Sequence, residues 1–197
     1  MQSVSEPPSL SRPFDREQPA LLTARLLLRP FTPEDAPAVA RLLNEPEIAA
    51  NTLTIPYPYE ERNAVDWIGT HRPGWERGEL ASFAIVLRES GELTGAIGLA
   101  VNAHHRNAEL GYWVGKPFWG KGICSEATRA VVEFGLRELG LNRVHAHHFT
   151  RNPASGRVMQ KIGMRYEGRL RQHIRKGDVF EDLDAYGILR EDLEEAG

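Results

Sequence analysis

The chain is poor in cysteine: its 197 residues contain one, Cys124. No disulfide can form within it, which fits a reducing cytosol. It also lacks a long apolar run. None reaches the roughly 18–20 residues that a membrane span needs. The opening stretch, MQSVSEPPSLSRPFDREQP, has no apolar core of the signal-peptide kind. Its Ser and Pro content and missing period read as a disordered or loosely docked arm over residues 1–20. There is no basic excess either. The net charge of −3 argues against a general nucleic-acid binder. Two nucleotide motifs are absent. No G-x-x-x-x-G-K-[ST] occurs, which disfavours nucleoside triphosphate hydrolysis. After Gly120 and Gly122, the third glycine position of G-x-G-x-x-G holds Ser125. No metal centre is expected. His145 and His147 share a strand face, but no Cys, Glu or further His stands at ligand spacing.

What the chain does have is 41% apolar residues, enough for a sizeable core. Thr23–Phe31 reads as a strand. Thr32, Pro33, Glu34 and Asp35 then form a helix start with cap, proline and acids in place. That helix runs to about Asn44. The proline-bearing piece 45–59 reads as loop, and a helix follows over 60–75 with Val65, Trp67 and Ile68 on its buried side. Leu80–Leu87 and Leu93–Val101 form a hairpin around Ser90-Gly91. A third strand spans Ala108–Val114. A helix over 125–139, a strand over 143–149 and a short helix from Asn152 to about Gly163 follow. A closing hairpin, 164–174 and 179–189, turns at Lys176-Gly177-Asp178. The order predicts an α/β (α+β) fold: a mixed, mostly antiparallel sheet of about seven strands with helices on both faces. From Arg151 to Lys176 there are eight Lys or Arg and one acid, Glu167, followed by an acid-rich segment. These read as two solvated faces, with a basic rim around an anion as the alternative.

The densest information lies in AELGYWVGKPFWGKGICSEA, residues 108–127. A strand leads into a loop with Gly115, Gly120 and Gly122, and then into a helix. Glycines let backbone N–H groups converge on an anion, and the helix N-terminus adds unpaired N–H groups and positive dipole. Alone this is a weak signal. Asn152-Pro153-Ala154-Ser155 opens a second helix directly after a strand, where capping by Asn152 is the simpler explanation.

Taken together, four blocks resemble the GNAT-fold N-acetyltransferases, and among them the RimJ/RimL branch of ribosomal-protein N-terminal acetyltransferases. They are TARLLLRPFTPEDAPAV, ELGYWVGKPFWGKGICSEA, NPASGRVMQKIGM and RKGDVFEDLDAYGIL, in the family's order over about Leu22 to Glu191. The resemblance implies one GNAT domain over 21–192 with a short tail over 193–197, and a sheet splayed in its middle. It implies acetyl-CoA as co-substrate and acetyl transfer to a primary amine. The first candidate is the N-terminal α-amine of a ribosomal or other protein. A small amine (amino acid, polyamine or antibiotic) and a non-catalytic acetyl-CoA sensor are the alternatives. No direct nucleic-acid specificity and no membrane association are expected, the location is cytoplasmic, and dimers are common in this branch.

The resemblance also assigns residues. Main-chain N–H groups of Gly120, Lys121, Gly122, Ile123 and Cys124 would hold the CoA pyrophosphate, and Arg157 would reach its phosphates. The pantetheine arm would pair with Tyr112, Trp113 and Val114 as if it were a strand, with Gly111 marking a bulge. Asn152 would position the arm or the sulfur. Glu109, at the start of that strand, is the candidate general base. N–H groups near Val114 would polarise the thioester carbonyl. Ser155 is the candidate acid for the leaving thiolate, with Tyr166 as a lesser substitute. Pro117 stands where the family usually carries Gln or Arg, which removes one side-chain contact. Cys124 sits where a helix N-terminus favours thiolate, yet no activating His or Asp accompanies it.

Overall fold

The computed structural model describes residues 14–195. In chain order the strands are β1 (Leu21–Leu22), β2 (Leu26–Arg29), β3 (Leu80–Leu87), β4 (Leu93–Asn102), β5 (Asn107–Val114), β6 (Arg143–Phe149), β7 (Arg165–Lys176) and β8 (Val179–Leu189). The helices are α1 (Ala36–Leu43), α2 (Pro46–Asn51), α3 (Glu61–Gly69), α4 (His71–Glu76), α5 (Ile123–Arg137), α6 (Pro153–Lys161) and α7 (Arg190–Glu195). One eight-stranded sheet runs in the order β1-β2-β3-β4-β5-β6-β8-β7. Every pairing is antiparallel except β5 with β6, whose crossover is α5. No helix among the described residues is long and apolar enough to cross a membrane.

The core lies on both faces of the sheet. Gly135 of α5 packs against Leu99, so the odd positions of β4 face α5. The even positions face the other way, with Ser82 and Trp113, toward α3 and α4. Leu26, Leu28, Phe83, Ile85, Leu99 and Leu136 are sealed from solvent. Each such side chain contributes roughly 1.5–3 kcal/mol by leaving water. At the start of α1, Arg29 grips Asp35 through two bonds of 2.7 Å, fixing the end of β2 to the helix. That contact holds the Asp35 carboxyl below its ordinary range, against the burial that would raise it.

Several sequence expectations are corrected. An added two-residue strand, β1, pairs with β2 and makes eight strands. The segment 45–59 is not all loop: Pro46, at the first position of α2, suits a helix start. The helix expected over 60–75 is two helices. Pro73 has no N–H to give the Gly69 carbonyl, and Thr70 turns its hydroxyl to the Trp67 carbonyl at 2.7 Å. Val65 lies on the exposed side of α3, where Ala64 and Ile68 are buried. No register shift occurs at Gly111, so the strand carries no bulge there. Most of the expected arm lies outside the described residues. Within them, Phe14 docks while residues 15–17 stay exposed: its ring lies 4.7 Å from Trp75, whose indole N–H donates to Arg16 O at 2.7 Å. Leu193, in the expected tail, packs partly buried against the core. Four of the eight basic residues over 151–176 are paired with the acid-rich segment that follows them. Arg151 pairs with Glu181, Arg165 with Asp192, Arg169 with Asp184 and Arg175 with Asp178.

Candidate active site

The glycine loop is built for an anion. Gly120 and Gly122 have φ of 74° and 78°, a region that costs a residue with a side chain about 1–2 kcal/mol. Gly122 is the N-cap of α5 and has no side-chain oxygen to offer. The first N–H with a helical partner is that of Glu126, which donates to Gly122 O at 3.1 Å. The N–H groups of Ile123, Cys124 and Ser125 are therefore the open end of a fifteen-residue helix. Arg25 holds the loop from outside, donating to Lys121 O at 3.0 Å and pairing with Glu126 at 2.7 Å. The Glu126 carboxylate is thereby turned toward Arg25 and Thr23.

A cavity of about 360 Å³ opens on this loop. Gly120, Gly122, Ile123 and Cys124 line one side, and Asn152, Ser155 and Arg157 the other. Arg157 and Lys161 bring positive charge against a single acid, Glu47. The lining suits a polyphosphate. Lys121 does not line it; its ammonium lies 5.6 Å above the Phe118 ring. Asn152 makes no side-chain cap for α6, so its amide is not spent on the helix.

The sheet opens where the cavity meets it. β5 pairs with β6 only over Asn107–Glu109 against Arg143–His145, after which the strands part. The Gly115 N–H donates to Thr94 O at 2.8 Å. Alternation along this antiparallel ladder turns Trp113 toward β4, and Tyr112 and Val114 toward the gap. Trp113 therefore cannot offer its main chain to an arm lying in the gap, contrary to expectation. Its ring lines the site instead. The Val114 carbonyl is taken by the Trp119 indole N–H at 2.6 Å, while its N–H still faces the gap. The close approach of β4 explains Gly95, where a Cβ would stand 2.3 Å from Trp113 O.

Through the gap lies a second cavity, of about 890 Å³. It shares Asn51, Thr52, Tyr112, Trp113, Asn152 and Ser155 with the first, so the two meet at the parting of the strands. Glu109 and His147 line the second cavity only. His147 Nδ1 lies 3.3 Å from Glu109 Oε1, and this bond holds the Glu109 carboxyl below its ordinary range despite partial burial. Deeper in, His71 is buried beside the Trp67 ring, at 4.4 Å, and 3.4 Å from Ser82 Oγ. Burial pushes its pKa down to about 4, so it is neutral at physiological pH. Asn51 and Thr52, in the wall of both cavities, belong to a strap tied down by two basic side chains. Arg151 donates to Asn51 Oδ1 and Ala50 O, and Lys176 donates to Thr52 O.

Ser155 sits at the junction with an unforeseen partner. The Tyr112 hydroxyl lies 2.7 Å from Ser155 Oγ, and burial raises the phenol's pKa, keeping it protonated. Tyr112 was expected to act through its main chain; its place beside an opened parallel strand pair gave no sign of a side-chain role. Tyr166 is exposed on β7 beside Asp184 and lines neither cavity. The Cys124 thiol is half-buried at the cavity wall, and desolvation pushes it up to about 12, so it is not a thiolate at neutral pH. The helix N-terminus does not overcome its desolvation. His148 faces away from His145 and His147 and packs against Tyr186 and α6; a Cβ on Gly156 would stand 2.6 Å from its Nε2. No group of three or more His, Cys, Asp or Glu able to hold a metal occurs among the described residues.

Comparison with known proteins agrees with this geometry. A family model described as an acetyltransferase (GNAT) domain matches residues 25–165. The chain is 34% identical over 177 residues to the uncharacterized N-acetyltransferase YoaA of Bacillus subtilis (strain 168), covering 87% of this chain and 97% of that protein. The solved structure of an acetyltransferase (GNAT family) from Bacillus anthracis superposes with a TM-score of 0.80 at 26% identity, over 88% of this chain and 99% of that one. RimL, the ribosomal L7/L12 alpha-N-protein acetyltransferase, in complex with coenzyme A, shares the fold with a TM-score of 0.79 at 20% identity, over 86% and 96%.

Proposed function

The chain belongs to the GNAT acetyltransferases, and from that premise we propose that it transfers the acetyl group of acetyl-CoA directly to the N-terminal α-amine of a protein within a ternary complex. The observation that carries this reading is the pair of cavities meeting at the parting of β5 and β6. One has the open helix end and two cations, and the other has a carboxylate. In this reading the N–H groups of Gly122 to Ser125 bind the pyrophosphate, with Arg157 and Lys161 as counter-charges. The pantetheine amides bond to the main chain of Tyr112, which leaves the Val114 N–H free for the reacting carbonyl. Asn152 orients the arm near the sulfur.

Glu109 attracts the ammonium into the cavity, and its proton leaves through the Glu109–His147 pair to solvent. The neutral amine attacks the thioester carbonyl, whose developing oxyanion is stabilised by the Val114 N–H. The C–S bond breaks as the amide forms. The nitrogen gives its second proton to the freed Glu109 carboxylate, the thiolate takes one from the Ser155–Tyr112 hydroxyl pair, and solvent reprotonates that pair. Holding both substrates at one junction supplies much of the acceleration. Cys124, held as a thiol, has no part, so no acyl-enzyme forms on it. Support for a protein acceptor comes from RimL, which shares the fold and acts on a ribosomal protein.

The test is mass spectrometry of a cognate proteome with and without the enzyme. A gain of one acetyl group on a protein N-terminus is expected. Its absence, together with thiol release from acetyl-CoA in the presence of small amines alone, would overturn the protein acceptor.

A further inference from the structure

The floor of the Glu109 cavity is a piece of sheet with small residues at its centre. Three cross-strand rows of β3, β4 and β5 face it. One is Leu80–Ala100–Glu109, the next Ser82–Gly98–Gly111, and the third Ala84–Ala96–Trp113. The middle row is a trench about 10 Å long, two strand spacings. Gly98 has a local reason to be glycine, since a Cβ would stand 3.0 Å from Ala81 O. Gly111 has none. A Cβ there would meet nothing within 4 Å, its φ is not in the left-handed region, and no bulge uses its freedom. Glycine inside a strand costs roughly 0.5–1 kcal/mol against alanine. What it provides here is room, directly between Glu109 and Trp113.

Charge sharpens the picture. Among the described residues lining this cavity, Glu109 is the only carboxylate, and there is no Lys or Arg. His71, at its inner end, is neutral. The basic groups of the strap are engaged: Arg151 by Glu181, Asn51 and Ala50, and Lys176 by the Thr52 carbonyl. The carrier cavity differs, with Arg157 and Lys161 in its wall.

We propose that this cavity selects its acceptor by charge and by size: it takes an amine whose ammonium is the only charge near the reacting nitrogen, attached to an uncharged body, with the first side chain lying in the Ser82–Gly98–Gly111 trench. The inference rests on the reading of the Glu109 side as the acceptor end. A carboxylate next to the amine finds no Lys or Arg, meets a histidine already turned to Glu109, and is repelled by Glu109. A second ammonium is drawn from water with no second carboxylate to meet it. Free amino acids and polyamines are therefore poor acceptors, and peptide N-termini with neutral first residues are good ones. Gly111 is the size determinant of the trench.

The experiment follows free-thiol release from acetyl-CoA with five acceptors: the dipeptide amides Ala-Ala-NH2 and Leu-Ala-NH2, free alanine, free leucine and spermidine. The wild type and Gly111→Leu are compared, with acetyl-CoA affinity by calorimetry as the check on folding. For the wild type, kcat/KM for each dipeptide amide is expected to exceed that for the matching amino acid and for spermidine by at least tenfold. In Gly111→Leu, the preference for Leu-Ala-NH2 relative to Ala-Ala-NH2 is expected to fall by at least tenfold, because the new side chain occupies the trench. Equal turnover of amides, amino acids and spermidine would overturn the charge selection alone. An unchanged Leu/Ala ratio in a variant that binds acetyl-CoA normally would overturn the role of Gly111. Acetyl-CoA binding with no turnover of any acceptor would overturn the transferase reading itself, and the selection with it.

Discussion

Replacing Gly122 by alanine separates two ways the loop can respond to one methyl group. At φ of 78° an alanine is strained by about 1–2 kcal/mol. The space itself is tolerant: a Cβ would stand 3.4 Å from Arg25 Nη2, the end of a flexible side chain. The strain must then appear in one of two places. If the loop keeps its shape, folding stability falls by about 1–2 kcal/mol, and the midpoint of thermal unfolding drops by about 2–4 °C per kcal/mol. If the loop relaxes to negative φ, stability recovers, but the N–H groups of Ile123 to Ser125 swing off the anion. The acetyl-CoA dissociation constant then rises by up to about tenfold for each 1.4 kcal/mol. The two losses should sum to about the same 1–2 kcal/mol. Urea denaturation and calorimetric titration measure them separately. Gly122→Asn is the control, because asparagine tolerates the left-handed region and should lose less in both. An alanine variant unchanged in both stability and affinity would refute the reasoning that the left-handed cap builds the anion site.

The Glu109–His147 bond gives a pH prediction. Glu109→Gln should lower kcat by about 10²–10⁴-fold in steady-state assays. Since the His147 bond is the main cause of the lowered Glu109 pKa, His147→Phe leaves burial to raise it, and the acid limb of the kcat/KM profile should move to higher pH. The stability this lowered carboxyl contributes is present above its unfolded-state pKa, near 4.5, and is lost as pH falls through the folded value. An unmoved limb in His147→Phe would discount the pair. Ser155→Ala and Tyr112→Phe should each slow turnover about tenfold or more, and the double variant should fall well short of the product of the two, because one hydroxyl pair is lost in either case. Strictly multiplicative losses would mean that the hydroxyls act apart. The Cys124 thiol should react with iodoacetamide at pH 7 far more slowly than glutathione does, because its pKa is raised; rapid labelling would contradict that.

Much of the scaffold was legible because its signals are local. The cap and acids at Thr32–Asp35, the Ser90-Gly91 turn and the Asn152-Pro153 helix start each use short-range chemistry. The loop glycines were legible as positions free of side chains; that Gly120 and Gly122 are left-handed and Gly115 is not came with the structure. What stayed hidden depends on partners far along the chain. Pro73 breaks a helix whose pattern looked continuous, through a missing bond to Gly69. The alternation that turns Trp113 away from the gap is set by register with β4, not by residue type. The Tyr112–Ser155 and Glu109–His147 contacts join residues 43 and 38 positions apart. Gly111 was legible as an unusual residue, but its meaning required knowing that nothing fills the space above it.

The short seam between β5 and β6 also bears on how the protein holds together. Three residue pairs join the two halves of an eight-stranded sheet, and beyond them each strand presents main-chain groups to nothing but the gap. A carrier lying there would serve as a removable rung, knitting the halves only while it is bound. Unfolding should then be resisted in proportion to the logarithm of carrier concentration, by about 2.7 kcal/mol at a hundredfold excess over the dissociation constant. Amide exchange at Tyr112 and Val114 should slow more than anywhere else in the sheet.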